Sequence, residues 1–254
     1  MSSEANPKSS CMVLLVVIGV LFLLVLASIP FLNKASQRAG MLSLGSRGKD
    51  IFVAITQANT EREPLDLPHV WPRTRIDGAQ VGDIKDIASM AFQNSTDYFN
   101  ELLDGANLGE PEKWVPYVNG FYDYSRFAGD GVPAMLKPGK LKPENNAWCI
   151  AGDIREEMDD RSPLLVTRNF DCEFFYKVLG NDEKEPVPWS TQYKTPYSNK
   201  GFVGVRKGGA VFSMSSRYIT QETIYASSSS SFPTLDDLPP AYLTPDSLVT
   251  RPRD

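Results

Sequence analysis

The chain of 254 residues contains one histidine, His69, and three cysteines, Cys11, Cys149 and Cys172. A single imidazole excludes an H-E-x-x-H helix and any histidine-rich metal cluster. A Ser-His-Asp triad would have to recruit His69, with no G-x-S-x-G elbow to serve it. A surface or packing role is therefore the expectation for that residue. No C-x-x-C pair occurs, which removes zinc and redox sites of that type. P-loop and G-x-G-x-x-G stretches are also missing, so nucleotide sites built on them are excluded. The net charge is −5, and no basic patch is interleaved with aromatics, which argues against nucleic acid as a partner. The chain is read as a non-enzyme with no catalytic residue, no cofactor and no metal ligand assigned.

The most informative absence is of charge. No Asp, Glu, Lys or Arg occurs from Ser9 to Asn33, and the stretch from Cys11 reads "CMVLLVVIGVLFLLVLASIPFL". As a helix at ~1.5 Å per residue, Cys11 to Ile29 spans roughly 28 Å, close to the hydrocarbon thickness of a bilayer. A cleaved secretory signal has an apolar core of about 7–15 residues and an A-x-A-like end. This run is longer, and "LASIP" is a poor cleavage site. A retained transmembrane helix over 11–32 is the expectation, after a short tail over 1–10. Lys34, Arg38, Arg47 and Lys49 follow the span, a bias that by itself would hold the larger part in the cytoplasm.

Behind the span, residues 33–60 read as a continued stem helix. Leu42, Ile51, Ala54 and Ile55 could share a face, while Gly40, Gly45 and Gly48 each weaken the helix. The remainder reads as an α+β head over 61–226. "GDIKDIASMAFQNSTDYFNELLDG" places Ile84, Ile87, Ala91, Ser95, Tyr98 and Leu102 at helical spacing, widened by Phe92, Phe99 and Leu103, with Asp83 as cap and Gly105 as stop. The aromatics Trp114, Tyr117, Phe121, Tyr122, Tyr124 and Phe127 follow. They suit either stacking on a sugar or anchoring a long loop to the core. "NAWCIAG" and "PLLVTRNF" read as strands, and "GFVGVRKGGAVFSM" as a hairpin turning at Lys207-Gly208-Gly209. A helix followed by antiparallel strands is the α+β order. Cys149 and Cys172 flank the first two strands and could pair in an oxidising compartment or remain buried thiols. "GDIREEMDD" offers hard oxygen ligands for Ca²⁺, or is simply an acidic solvated turn. "ASSSSSF" and the proline-rich end read as a flexible or surface-wrapping tail over 227–254.

"LLVVIGVLFLLVLASIP", with "NKASQRA" behind it, resembles the N-terminal helix of type IV pilins and type II secretion pseudopilins. "NSTDYFNELL", "KPENNAWCI" and "NKGFVGVRKGGAV" resemble, in order, segments of a large-headed subgroup of that family. In this register Leu14, Leu15, Val16, Val17 and Ile18 begin the apolar stem, and Pro30 falls on the family's helix proline. Lys8 stands where the leader's glycine belongs, Ser9 where an aromatic does, and Val13 where a glutamate does. These departures are mutually consistent. In the family, leader removal creates an amine that the glutamate compensates inside an apolar bundle, where an unpaired charge is expensive. Without removal, neither group is needed.

The resemblance implies a single-pass protein of the bacterial inner membrane with its head on the periplasmic side, against the charge bias. It implies lipid bilayer and other pilin-like subunits as partners. The chain would form a homo- or hetero-oligomer in a type IV pilus filament or a type II secretion pseudopilus, with a helix break at Pro30 letting the stem bend. Calcium held in a head loop by some pseudopilins echoes the acidic stretch Gly152 to Asp160. The alternative is a non-assembling, single-pass, membrane-anchored extracytoplasmic binding protein.

Overall fold

The computed structural model describes residues 7–74, 87–104, 124–135, 140–178, 183–215, 217–225 and 238–251. It divides into a unit ending at Gly40 and a second from Met41 to Asp254. Helix α1 (Pro7–Arg62) supplies all of the described part of the first unit. Pro7 opens it, where a missing N–H has no intrahelical partner to lose. From Val16 to Leu32 every residue but Ser28 is exposed, around the whole circumference. A surface helix would be apolar on one stripe only, so this helix is long and apolar enough to cross a membrane. The Ser28 hydroxyl donates to Val25 O at 2.7 Å, so this polar group is satisfied inside the helix. The expected break at Pro30 does not occur, because α1 runs through it. A proline removes one N–H from the ladder and leaves the remaining turns intact.

In the second unit, β1 (Trp148–Gly152), β2 (Pro163–Thr167), β4 (Phe202–Arg206), β5 (Val211–Met214), β7 (Ala241–Leu243) and β8 (Leu248–Thr250) form one six-stranded sheet. Its order is β5-β4-β2-β1-β7-β8, and every neighbouring pair is antiparallel. A separate ribbon pairs β3 (Glu185–Pro186) with β6 (Tyr218–Ile219). The α+β layout expected from element order is therefore present. β1, β2 and β4 are buried along their whole length, which explains why they read as continuous apolar runs.

Two cores follow from the period-two geometry of the strands. Trp148, Ile150, Leu165, Val203, Val205 and Leu243 face one core with α1 and α2 (Ser95–Asp104). Cys149, Ala151, Leu164, Val166, Phe202 and Tyr242 face the other, with the short helices α3 (Phe174–Lys177) and α4 (Gln221–Tyr225).

Within the second unit, α1 buries Met41, Leu44, Ile51, Ile55 and Ala58, a three-four spacing on one stripe. Leu42, expected on that face, is 74 % exposed, whereas Ile51 is 0 % exposed. The glycines have the opposite meaning to the one their propensity suggests. A Cβ on Gly48 would lie 2.6 Å from Trp148 Cη2, and one on Gly45 would lie 2.7 Å from Val211 Cγ1. Gly45 and Gly48 are where the helix backbone approaches the sheet.

α2 begins at Ser95, not at Asp83. Asn94 caps it: the Asp97 N–H donates to Asn94 Oδ1 at 2.8 Å, and Asn94 Nδ2 returns a bond to Asp97 Oδ2 at 2.7 Å. Asn94 is thus a side-chain N-cap on the N3 amide, with its own amide group held by the Asp97 carboxylate. It ends the segment before it, where Ile87–Ser89 form a 3₁₀ turn and Ala91 bridges Arg73. Asp83, Ile84 and Gly105 lie outside the described residues.

The expectation of a flexible tail over 227–254 is corrected within 238–251. β7 pairs with the central strand β1, and Leu238, Tyr242 and Leu243 are 0 % exposed. The segment is tied down by polar bonds as well. Ser95 N–H donates to Thr244 O at 2.7 Å, Thr96 Oγ1 to Pro245 O at 2.6 Å, and Tyr242 Oη to Pro163 O at 2.6 Å. Five prolines obscured it, because none interrupts the three-residue strand. Ala226 to Phe232 lie outside the described residues.

Gly48→Ala tests the close approach. Helix propensity alone would favour alanine by ~1 kcal/mol, but overpacking against Trp148 is expected to destabilise the fold by ~1–3 kcal/mol. Leu42→Ala should change stability by less than about 0.5 kcal/mol. Thermal unfolding separates the two, at ~2–4 °C per kcal/mol for a chain of this size.

Alkaline pH tests the tyrosines. Burial pushes the Tyr98 and Tyr242 hydroxyls well above their ordinary value, raises Tyr176 and Tyr193, and moves Tyr197 to about 12. A raised pKa means the fold keeps the proton longer than the unfolded chain does. Stability from these groups is therefore complete below an ordinary tyrosine pKa of about 10 and declines as pH rises through and above it. Phenolate absorbance should appear together with loss of secondary structure, rather than before it, for these residues.

Candidate functional site

The second unit holds a cavity of about 490 Å³ lined by His69, Trp71, Pro72, Arg73, Asp153, Ile154, Arg155, Pro240 and Arg251. Three chain segments build it. The first follows α1: Asn59 Oδ1 accepts the Val70 N–H at 2.8 Å and fixes where the chain leaves the helix. Phe92 N–H donates to Arg73 O at 2.7 Å and pins its other end. The second segment starts at the end of β1, where Asp153 N–H donates to Pro72 O at 2.8 Å. The third is the β7–β8 hairpin, closed at its base by Arg251 N–H on Pro240 O at 2.8 Å.

Asp153 is the joint between the first two segments. Its φ is 53°, a left-handed conformation that few non-glycine residues adopt and that aspartate tolerates comparatively well. In that conformation its carboxylate accepts the Thr74 N–H at 2.8 Å and the Thr74 hydroxyl as well. Gly152 must lack a side chain, since a Cβ there would lie 2.7 Å from Thr74 Cγ2. Trp71 packs against Phe52, with ring centroids 6.2 Å apart, so the core holds the indole.

The described lining residues include three arginines, one histidine and one aspartate, on a chain whose net charge is −5. Among the described residues the Arg73 side chain makes no ion pair and no hydrogen bond. Such a wall can hold an anion by charge and by forked N–H donors. Sequence reasoning placed His69 in a surface or packing role and left Arg73, Arg155 and Arg251 unremarked. "HVWPR" was the one local signal; the other arginines arrive from distant segments, and no linear motif joins them.

The remaining candidates fall elsewhere. Leu14, Val16, Val17 and Ile18 are exposed on α1, and Pro30 lies within it. Lys8, Ser9, Val13 and Leu15 belong to the same helix, but their side chains are outside the described set. Cys149 and Cys172 do come together, as buried free thiols. A hydrogen bond to Cys149, and then burial, push the Cys172 thiol well above its ordinary value, opposite to the shift that makes a nucleophile.

In the acidic stretch, Arg161 bonds both carboxylate oxygens of Asp159 and holds it below the usual carboxylate range. Lys207 Nζ takes Glu156 O, Met158 O and Asp160 Oδ1 at 2.7, 2.8 and 3.2 Å. The Asp159 and Asp160 carboxylates are thus engaged by protein cations, and among the described residues no group of three His, Cys, Asp or Glu is placed to hold a metal. Of the aromatic loop, Phe127 is buried with its ring 4.8 Å from Phe99, and Tyr124 packs on the same core. Trp114, Tyr117, Phe121 and Tyr122 lie outside the described residues. No family model, curated protein or solved structure matches the chain.

Removing the Asp153 carboxylate should loosen the joint of the cavity. Asp153→Ala is expected to cost ~1–3 kcal/mol by leaving two Thr74 donors without their acceptor. Asp153→Asn retains one acceptor oxygen and should cost less. Denaturant unfolding of the two variants gives the order directly.

Proposed function

We propose that the chain is a membrane-anchored, pilin-like or pseudopilin-like structural subunit. The observation that carries this reading is α1 itself. One stretch, from Val16 to Leu32, is apolar and exposed on all sides, and another, from Met41 to Ala58, is buried along one stripe under an antiparallel sheet. A bilayer satisfies the first stretch, and the apolar stems of neighbouring subunits would satisfy it equally. In this reading Leu14 to Ile18 begin the packing surface. Val13, in place of a glutamate, goes with a chain whose leader is retained, and the head lies on the periplasmic side of a bacterial inner membrane.

The cavity favours a second reading, a non-assembling anchored protein whose second unit binds a ligand outside the cytoplasm. The two share the anchor and differ in assembly. A photo-crosslinking residue at Val17 in the native membrane should capture other pilin-like subunits under the first reading and lipid only under the second. Leu21→Arg with Leu24→Arg should release the chain from carbonate-washed membranes, since each central arginine costs ~2.5–3.5 kcal/mol on insertion. Retention of the double variant would overturn both readings.

A further inference from the structure

We propose that the cavity walled by Trp71, Arg73, Asp153, Arg155 and Arg251 binds a small ligand that carries an oxyanion, carboxylate or phosphate, on a ring of about sugar size. The inference goes beyond the anchor and stands whether or not the chain assembles.

Size is the first argument. A volume of about 490 Å³ falls within the ~300–1,000 Å³ of small-molecule sites, ample for one or two sugar rings.

Charge is the second. Among the described lining residues are Arg73, Arg155 and Arg251 and one carboxylate, Asp153. Arg155 and Arg251 have interactions of their own, so Arg73 is the charge a ligand meets, in a concave place that raises the local potential for an anion. The described carboxylate does not cancel it. Asp153 is occupied by the backbone and hydroxyl of Thr74, and no ion pair among the described residues joins it to an arginine. Its role is to hold the wall. Arg73, half-buried and with no side-chain partner among the described residues, is the donor most available to a ligand. A half-buried guanidinium gains most from a charge-assisted, bidentate acceptor.

Preorganisation is the third argument. The backbone bonds Phe92–Arg73, Asp153–Pro72 and Arg251–Pro240 each fall at or within two residues of a wall arginine. The three side chains are thus mounted on pinned backbone, which lowers the ordering cost of binding. Trp71, held by Phe52, adds an amphipathic aromatic surface beside the charges, which suits a ring bearing the anion better than a bare ion.

The test uses the full chain in non-ionic detergent, titrated by calorimetry with glucuronate, glucose 6-phosphate and glucose. These three share a ring and differ in carrying a carboxylate, a phosphate or no charge. Binding of either anion, with glucose at least about tenfold weaker, is the expected result, and the stronger of the two identifies the oxyanion. Arg73→Gln should weaken that binding by about tenfold or more, and Arg73→Lys by less, because charge survives without the fork. Arg217→Gln, an exposed arginine over Tyr218 outside the cavity, should leave it unchanged. Raising salt should weaken binding as well, a readout that needs no variant to fold. Equal affinity for glucose would overturn the proposal. So would no anion binding up to about 10 mM, weaker than any specific site of this design should be. Indifference of a folded Arg73→Gln to the anion would overturn it too.

Discussion

The second unit depends on how closely α1 lies on the sheet at Trp148. Gly45 and Gly48 remove the side chains that would hold the helix away, and the indole fills the space with Cη2 under Gly48. Each polar group of that tryptophan is then assigned. Its N–H donates to Asn146 Oδ1 at 3.0 Å, its Nε1 donates to Arg126 O at 3.0 Å, and its carbonyl accepts the Ser95 hydroxyl at 2.8 Å. α1, β1, the first turn of α2 and the segment before β1 therefore converge on one residue. Satisfying every polar atom of a buried tryptophan, backbone and indole, specifies geometry more tightly than apolar packing can, since a mispairing leaves a costly orphan.

A sheet buried on both faces imposes the next constraint. Apolar runs in β1, β2 and β4 need cover above and below, so the short helices α3 and α4 pack over the second face, with Leu238 in the same core. Charges caught in this closure must be satisfied by the backbone. Arg168 shows how: its guanidinium donates to Pro143 O, Asn146 O, Thr195 O and Thr195 Oγ1 at 2.7 to 3.0 Å, and lies 4.8 Å from the centre of the Tyr193 ring. Carbonyl dipoles take the place of a counter-ion, and in doing so they lock the segments 143–146 and 195 against the end of β2.

What was legible in the sequence was whatever local periodicity encodes. The charge-free run, the strands at Trp148 and Leu164, the hairpin at Lys207-Gly208-Gly209 and the core role of Tyr98 and Leu102 all have short-range signals. What was illegible has tertiary causes. Gly48 reads as a helix weakener until the indole beneath it is known. Asn94-x-x-Asp97 is a cap signature that places the start of α2 at Ser95, but the longer helical spacing from Ile84 onward masks it. The β7 strand hides between prolines because its only merit is a vacant edge on β1. The cavity was least legible of all, since its arginines are separated by most of the chain and each alone resembles ordinary surface charge.

α1 also carries two apolar patterns in one continuous element. Up to Leu32 its apolar residues have no period, because hydrocarbon would surround them on every side. From Met41 they recur at three and four, because only one side meets protein. Basic residues Lys34 and Arg38 fall between these regimes, exposed and in continuous helix. The change of period, rather than any break at Pro30, marks where the environment of the helix changes. Anchoring and ligand binding, as proposed, would therefore draw on different residues. The first requires only hydrophobicity between Leu14 and Leu32, a property that tolerates substitution. The second requires Thr74, Gly152 and Asp153 to hold a particular corner of backbone, a property that does not.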